Sequence, residues 1–180
     1  MNYSQYDDIA SKYDTLFRDE MSLVENREVG KMLPPLNGSI LDIGCGTGLL
    51  TEITEIDPQD YLGVDPSKGM LDQFKIKHSE FENRLVCEPF DGKNLDCRNF
   101  SNIVALFGSP SYLSHYAVLA IAKSKARKFL MFYKEKYHPV TYEKCEVEFK
   151  HYFYSKKSLC GLFGEDNVSE YHNYLIVNCV

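Results

Sequence analysis

The residues best suited to chemistry lie in and just after a short apolar run, residues 40–43. This run leads into glycines at alternate positions. The run contains one acid, Asp42, and the glycines that follow are Gly44, Gly46 and Gly48. Such a run is typical of a buried strand, and closely spaced glycines let the backbone turn tightly and approach a ligand. Because a helical pattern follows the glycines, the stretch predicts a strand, turn and helix that form a nucleotide-binding crevice.

A second acid follows a second apolar run. Tyr61-Leu-Gly-Val leads to Asp65, which lies 17 residues beyond Gly48. An acid at the tip of the second strand of such a unit can accept hydrogen bonds from ribose hydroxyls. The sequence therefore predicts a ligand that carries a sugar.

The glycine spacing argues against two classes of nucleotide site. The dinucleotide fingerprint Gly-x-Gly-x-x-Gly would need a glycine at position 49 or 51, where the chain has Leu49 and Thr51. A nicotinamide oxidoreductase is therefore disfavoured. The sequence also lacks Gly-Lys-Ser/Thr, which excludes a P-loop.

Two stretches carry a family resemblance. Residues 41–48 resemble the first motif of class I S-adenosylmethionine-dependent methyltransferases, and residues 63–71 resemble their second motif, in the form common among small-molecule enzymes. The resemblance implies a Rossmann-like fold and methyl transfer from S-adenosylmethionine to a small-molecule acceptor. S-adenosylhomocysteine would be the product.

The resemblance also implies which residues hold the cofactor. Asp42 would hold the methionine ammonium end, Asp65 the ribose hydroxyls, and Pro66 and Met70 would pack on the adenine. For Met70, simple core packing is an equally good interpretation. The remaining cofactor candidates lie in the glycine loop and at the end of the fourth strand: Gly44, Cys45, Gly46, Gly48 and Phe107.

Two positions depart from the family pattern. After the third strand, where the family more often has Gly-Asp-Ala, the chain has Cys87-Glu88-Pro89, so Glu88 is the candidate acceptor for the adenine amino group and Asp91 the second. Before the fourth strand, Ser101 replaces the aspartate of many relatives. This second departure is one reason to consider a protein that binds the cofactor without turnover.

Methyl transfer from a sulfonium is an in-line displacement, so the protein must position the acceptor and exclude water, and need supply no nucleophile. A general base could deprotonate the acceptor, and the candidates are Tyr13, Tyr112 and His115, with His151 beside them. For both histidines an ordinary surface position is the simpler interpretation. The histidine spacing predicts no metal site.

A nucleic-acid or protein methyltransferase of the same fold is the alternative function. Ser109-Pro-Ser-Tyr112 superficially resembles the signature of enzymes that methylate DNA bases, and residues 123–128 carry four basic side chains. The net charge of −6 argues against nucleic acid, because neutralisation of phosphates supplies much of such binding. We interpret the basic residues as solvated helix ends and turns.

The order of elements predicts one α/β domain over residues 1–180, built as a three-layer sandwich with helices on both faces of a sheet. The sheet is expected to have seven mostly parallel strands and a C-terminal antiparallel hairpin. Within the domain we expect N-terminal lid helices in 1–35, a cofactor-binding core in 38–135, a substrate-side insert in 136–154, and a final helix and hairpin in 155–180. Strands are predicted at 39–43, 61–64, 85–88, 103–107, 128–133, 168–171 and 174–180, with an extended segment at 147–154. Helices are predicted at 3–18, 21–34, 49–56, 66–78, 114–124 and 155–163.

Composition places the protein in the cytoplasm. The sequence has no apolar stretch that could span a bilayer, and its acidic, polar start is unlike a signal peptide. The six cysteines form no Cys-x-x-Cys pair and are interpreted as reduced thiols. We expect a monomer or homodimer, and the aromatic residues near 3–17 and 138–154 weakly favour a planar or partly apolar acceptor.

Overall fold

A computed structural model describes residues 4–17, 19–134 and 151–180 of the chain. Its centre is a seven-stranded sheet with strand order β3-β2-β1-β4-β5-β7-β6. The strands are β1 (Ile40–Ile43), β2 (Tyr61–Val64), β3 (Leu85–Val86), β4 (Asn102–Ala105), β5 (Arg127–Tyr133), β6 (Val168–Tyr171) and β7 (Tyr174–Cys179). The helices are α1 (Ser4–Leu16), α2 (Glu20–Met32), α3 (Leu49–Ile53), α4 (Lys68–Lys77), α5 (His115–Lys123) and α6 (Lys156–Phe163).

The sheet is parallel except for β7, which pairs antiparallel with both β5 and β6. The predicted α/β architecture and its C-terminal hairpin are thus confirmed. The hairpin turns at His172-Asn173, and His172 has a φ of +47°, as the two-residue hairpin turns that match strand twist require.

Alternate residues of the central strands face two separate cores, which makes three layers. Leu41 and Leu130 lie in one core with the buried faces of α5 and α6. Ile40 and Phe129 lie in the other core with residues of α2, α3 and α4. Because helices cover both faces, β1 and β4 are buried at every position and read as continuous apolar runs broken only by Asp42 and Asn102.

Several element boundaries differ from the predicted ones by two or three residues. β3 ends at Val86 and not at residue 88, because its partner β2 ends at Val64 and leaves nothing to pair with. β4 ends at Ala105 and not at 107, because Phe107 turns the chain with a positive φ. α3 ends at Ile53, where Thr54 adopts an extended conformation.

The basic stretch near residue 125 is less of a surface patch than the sequence indicated. Lys128 is buried, and its ammonium donates to the carbonyls of Ser124 and Ala126 at 2.9 and 2.7 Å. Arg127 donates to the carbonyl of Pro35. The prediction of four solvated cations is therefore wrong at Lys128, because its long side chain folds back to cap the end of α5.

The predicted insert and the predicted extended segment lie only partly within the described residues. Most of the predicted insert at 136–154 lies outside the described residues, as do Val147 and Phe149 of the extended segment, whereas residues 151–154 are described and have no regular secondary structure.

In the ranges that the structure describes, none of the helices combines the length and the apolar character that a membrane crossing requires. The cysteines of these ranges, Cys45, Cys87, Cys97, Cys160 and Cys179, are free thiols.

Candidate functional site

A cavity of about 660 Å³ lies at the carboxyl ends of β1, β2, β4 and β5. Its lining includes residues of α1, α2 and the tip of the β6–β7 hairpin. Parallel strands that end at one edge bring their following loops together, which is why ligands bind at this edge of α/β sheets. The cavity has two parts of different chemistry, a glycine-loop end and a tyrosine end.

The glycine-loop end is the part lined by Asp42, residues 44–47 and Asp65. The loop is held against β2, because the amides of Gly44 and Cys45 both donate to the carbonyl of Val64, at 2.8 and 3.3 Å. It is also packed against the chain after β4. A Cβ on Gly44, whose φ is +72°, would lie 2.6 Å from the Cβ of Ser109. Both the backbone conformation and the lack of space therefore require glycine at this position.

Asp65 is a buried carboxylate held by backbone amides. Its two oxygens accept from the amides of Gly46 at 3.0 Å and Ser67 at 2.8 Å. Burial raises the pKa of Asp65 to about 6, although these two hydrogen bonds lower it. A carboxylate oxygen can accept more than one hydrogen bond, so Asp65 retains capacity toward hydroxyl groups in the cavity.

Asp42 is a second buried carboxylate in the same cavity wall, with only 3% of its surface exposed. The hydroxyl of Tyr61 donates to it at 2.7 Å. Burial raises the pKa of Asp42 to about 7, the Tyr61 hydrogen bond lowers it, and the charge of Asp65 raises it further. The arrangement places two acids where an ammonium group and hydroxyl groups would find acceptors.

Helix α1 is tied to both of the loops that precede helices in this region. Asp7 accepts from the Ser67 hydroxyl and from the amide of Gly69, both at 2.7 Å, at the start of α4. Asp14 accepts from the hydroxyl of Thr47 and pairs with Lys77 at 2.7 Å. These bonds hold α1 over the glycine loop, so that Tyr6 and Tyr13 line the cavity.

The tyrosine end of the cavity is lined by rings from four distant parts of the chain. These rings belong to Tyr6, Tyr13, Tyr112, Tyr133, Tyr174 and Phe107. The Tyr6 ring meets those of Tyr13 and Tyr112 with centroids 6.4 and 6.3 Å apart. The Tyr133 ring stacks on that of Tyr174 at 5.7 Å. Edge and stacked aromatic pairs of this kind form a rigid, largely apolar wall with polar hydroxyls.

Two features of the tyrosine end constrain its chemistry. Burial raises the pKa of Tyr6 and of Tyr112, so both phenols are protonated at neutral pH and can donate hydrogen bonds. Phe107 has a φ of +44°, which is uncommon for a bulky residue and typical of strained functional sites. This turn directs its ring onto Tyr174 at 5.8 Å.

The structure brings most of the sequence candidates to one cavity. Those that line it are Tyr13, Asp42, Gly44, Cys45, Gly46, Asp65, Pro66, Met70, Phe107 and Tyr112. Five candidates lie outside its lining: Gly48, Glu88, Asp91, His115 and His151. Gly48 starts α3 and packs against the ring of Phe74, Glu88 is exposed and accepts from Asn94 at 3.3 Å, and His115 is exposed with its ring on Tyr154 at 4.9 Å.

Sequence reasoning missed several residues of the cavity. Tyr133 carries a usable signal, because it ends β5 and strand ends meet at this edge. Asp14 and Lys77 are ordinary helix-surface residues by pattern, and Tyr174 is an ordinary strand residue. Only the packing of α1 against α4 and of the hairpin against β5 brings these three side chains to the site.

No metal site accompanies the cavity in the described ranges, because no three His, Cys, Asp or Glu side chains of residues 4–17, 19–134 and 151–180 are grouped suitably.

Comparisons with known proteins agree with this geometry. The family model of a methyltransferase domain matches residues 40–128. Among solved structures, the DhpI–SAH complex matches with a TM-score of 0.67 at 16% identity and covers 98% of this chain and 93% of that chain. A possible histamine N-methyltransferase from Thermotoga maritima matches with a TM-score of 0.64 at 15% identity, covering 93% of this chain and 81% of that one. DesVI of Streptomyces venezuelae matches with a TM-score of 0.60 at 17% identity, covering 94% and 97%. No curated protein matches the sequence.

Proposed function

We propose that this chain, whose residues 40–128 match the family model of a methyltransferase domain, is a class I, S-adenosylmethionine-dependent enzyme that methylates a small-molecule acceptor held among the tyrosine rings of its cavity. One observation carries this proposal. A single cavity joins a glycine loop with two buried acids to an aromatic compartment. Its volume of about 660 Å³ falls within the range of small-molecule sites.

The residues of the glycine-loop end fit the cofactor. Asp65 would accept from the ribose hydroxyls, and Asp42 would face the ammonium group. The turn at Gly44 and Gly46 lets the backbone approach the amino-acid tail. Pro66 and Met70, which both line the cavity, would pack on the adenine. The cofactor supplies an activated methyl group on a sulfonium, so the protein's own contribution is to bind, orient and exclude water.

The tyrosine end would hold the acceptor. Its rings offer flat apolar surfaces, and the hydroxyls of Tyr13 and Tyr112 can orient a polar group of the acceptor through hydrogen bonds. Because its pKa is raised, the Tyr112 phenol is protonated at neutral pH and fits this role better than that of a general base. The tyrosine rings therefore support a planar or partly apolar acceptor. The Thermotoga maritima neighbour, described as a possible histamine N-methyltransferase, makes amines that carry an aromatic ring a sensible first group to assay.

The placement of the basic stretch argues against a nucleic-acid acceptor. Arg127 begins β5, so the stretch lies at the amino end of that strand, whereas the cavity lies at the carboxyl ends. A phosphate backbone bound there would not place a base at the cavity. The small-molecule acceptor is therefore the better proposal.

Calorimetry with S-adenosylhomocysteine tests the cofactor half of the proposal. Wild-type protein should bind it, and Asp65→Ala should bind about a hundredfold more weakly, because a charged acceptor is lost. Asp96→Ala is a matched control, since Asp96 is an exposed aspartate paired with Arg98. Its affinity should stay within about twofold of wild type.

A panel of amines, phenols and carboxylic acids tests the acceptor half, with release of S-adenosylhomocysteine from S-adenosylmethionine as the signal. Turnover with one of these small molecules supports the proposal. Failure of wild-type protein to bind S-adenosylhomocysteine contradicts it. Binding without turnover in a broad panel would favour the alternative of a cofactor-binding protein that has lost catalysis.

A further inference from the structure

The hydrogen bond between Tyr61 and Asp42 is the best-defined interaction of the glycine-loop end that the proposed function leaves unexplained. Tyr61 is the first residue of β2, and its ring is only 1% exposed. Its hydroxyl lies 2.7 Å from a carboxylate oxygen of Asp42 on the neighbouring strand. Burial of a phenol and an acid costs free energy that their hydrogen bond only partly offsets. The cost is a reason to look for a functional role of the pair.

The surrounding residues make room for this hydroxyl. Gly63 lies two residues after Tyr61, on the same face of β2 and directly opposite Asp42 in the sheet register. A Cβ at Gly63 would lie 2.8 Å from the Tyr61 hydroxyl oxygen and 2.9 Å from the sulfur of Cys45. The absence of a side chain at Gly63 therefore creates the space in which the phenol reaches along its own strand to Asp42.

The Tyr61 ring itself lies among apolar rings. The Tyr61 ring packs edge-on against Phe74 and Phe81, with centroids 6.0 and 5.0 Å away. The titratable groups that act on Asp42 in the described part of the chain are Tyr61 itself and Asp65 after β2. Burial and the charge of Asp65 both raise the pKa of Asp42, and only the Tyr61 hydrogen bond lowers it.

We propose that Tyr61 is a positioning residue that keeps the Asp42 carboxylate ionised and aimed into the cavity, where it receives the ammonium group of the cofactor. The inference rests on the proposed function for its ligand, but the hydrogen bond itself acts in the ligand-free protein. Tyr61 touches no ligand in this scheme and acts only through Asp42.

Tyr61→Phe tests the inference, because it removes the hydroxyl and keeps the ring. In the ligand-free protein, carbon NMR of the aspartate carboxyl groups should show a higher pKa for Asp42 in Tyr61→Phe than in wild type. Asp42→Asn identifies the resonance by its absence. Tyr154→Phe is the matched control, since Tyr154 is also fully buried and donates one hydrogen bond of 2.7 Å, to the carbonyl of Leu113.

The second readout is the affinity for S-adenosylhomocysteine between pH 6 and pH 8.5. At pH 7, Tyr61→Phe should bind about tenfold more weakly, because one hydrogen bond to a charged group is lost and Asp42 is more protonated. The loss should shrink as pH rises and Asp42 ionises. Tyr154→Phe should follow the wild-type profile even if it lowers stability as much.

The outcomes separate the two proposals. An unchanged Asp42 titration in Tyr61→Phe overturns the inference, whether or not the protein binds the ligand. A raised pKa with an unchanged affinity profile overturns the link from Tyr61 through Asp42 to the ligand. No binding by wild-type protein at any pH contradicts the proposed function instead, and the titration still reports on the Tyr61–Asp42 bond.

Discussion

At the glycine-loop end of the cavity, polar groups are fixed by short bonds between neighbouring strands and loops, whereas the tyrosine end is made of rings from distant segments. Asp65 accepts from backbone amides and Asp42 from a tyrosine on the adjacent strand. The rings of Tyr6, Tyr112 and Tyr174 come from α1, from the turn after β4 and from the hairpin.

This difference has a physical basis. The proposed cofactor is the same in every reaction cycle, so it can be bound by a loop whose shape depends on backbone hydrogen bonds, which most side-chain substitutions leave intact. A variable ligand part is better met by side chains, which can change one at a time without disturbing the sheet. We therefore expect substitutions at the glycine-loop end to affect cofactor affinity and stability, and those at the tyrosine end to affect turnover.

Among these substitutions, Gly44→Ala at the glycine-loop end should lower the stability of the protein most. The new Cβ would meet Ser109 at 2.6 Å in a left-handed conformation, so we expect a loss of about 3 kcal/mol or more in the free energy of unfolding. Gly46→Ala is the matched control, because Gly46 also has a positive φ but nothing lies within 4 Å of its Cβ position. It should lose only about 1–2 kcal/mol, from backbone strain. Equal losses in urea unfolding of the two variants would contradict this account of the loop.

The pH dependence of stability should reveal the cost of the two buried acids. The pKa of Asp42 is raised to about 7 and that of Asp65 to about 6, while aspartates in the unfolded chain titrate near pH 3.9. Between pH 4 and 7 the folded protein therefore holds protons that the unfolded chain has released, and these two groups lower stability as pH rises. Asp42→Asn should remove part of this decline, a difference on the order of a few kcal/mol between pH 4.5 and pH 7.5.

Chemical unfolding at several pH values measures that decline. Asp96→Asn serves as the control, because the Arg98 side chain lowers the pKa of exposed Asp96 to about 2 and its contribution is lost only as pH falls toward that value. Parallel curves for wild type and Asp42→Asn from pH 4.5 to 7.5 would show that Asp42 does not titrate in that range.

Tyr112→Phe tests the tyrosine end of the cavity, where we expect an effect on the rate of methyl transfer. It keeps the ring against Tyr6 and Tyr133 and removes only the hydroxyl. We expect methyl transfer to slow by about tenfold through loss of a hydrogen bond to the acceptor, with S-adenosylhomocysteine affinity within about twofold of wild type. Steady-state kinetics with the acceptor found in the panel measure the rate. Tyr116→Phe, on the exposed face of α5, should change neither quantity. A large loss of cofactor affinity in Tyr112→Phe would contradict the division of the cavity.

His115→Ala should have the smallest effect. The imidazole is exposed and contacts the rings of Tyr152 and Tyr154 outside the cavity. Affinity and rate should both stay within about twofold, with a change in the free energy of unfolding of about 0.5 kcal/mol or less. A tenfold or greater loss of rate would restore His115 as a candidate general base.

The predicted fold follows closely from the sequence, because it depends on local patterns. The apolar runs at β1 and β4, the glycines after β1 and the two-residue turn at His172-Asn173 each encode their structure within a few residues. The errors are confined to ends. β3 and β4 stop early, because pairing and backbone turning in the folded sheet decide where a strand ends.

The candidate site was less accessible to sequence analysis, and the reason differs between its ends. Asp42, Asp65 and the glycines Gly44 and Gly46 sit at predictable strand ends, so their meeting at one edge follows from the fold class. Glu88 also follows a strand, the edge strand β3, yet its side chain lies at the surface against Asn94, whereas the next residues, Pro89 and Phe90, line the cavity.

The sequence by itself determined the strand–turn–helix unit, the order of the elements and the two acids, because each depends on spacing along the chain. Only the tertiary structure decided that Tyr61 donates to Asp42, that Lys128 is buried, and that rings from α1 and the hairpin share one cavity. Residue spacing specifies which face of an element is buried. Which distant side chain then fills the space beside it depends on sheet order and register, and these are set by the packing of the whole domain.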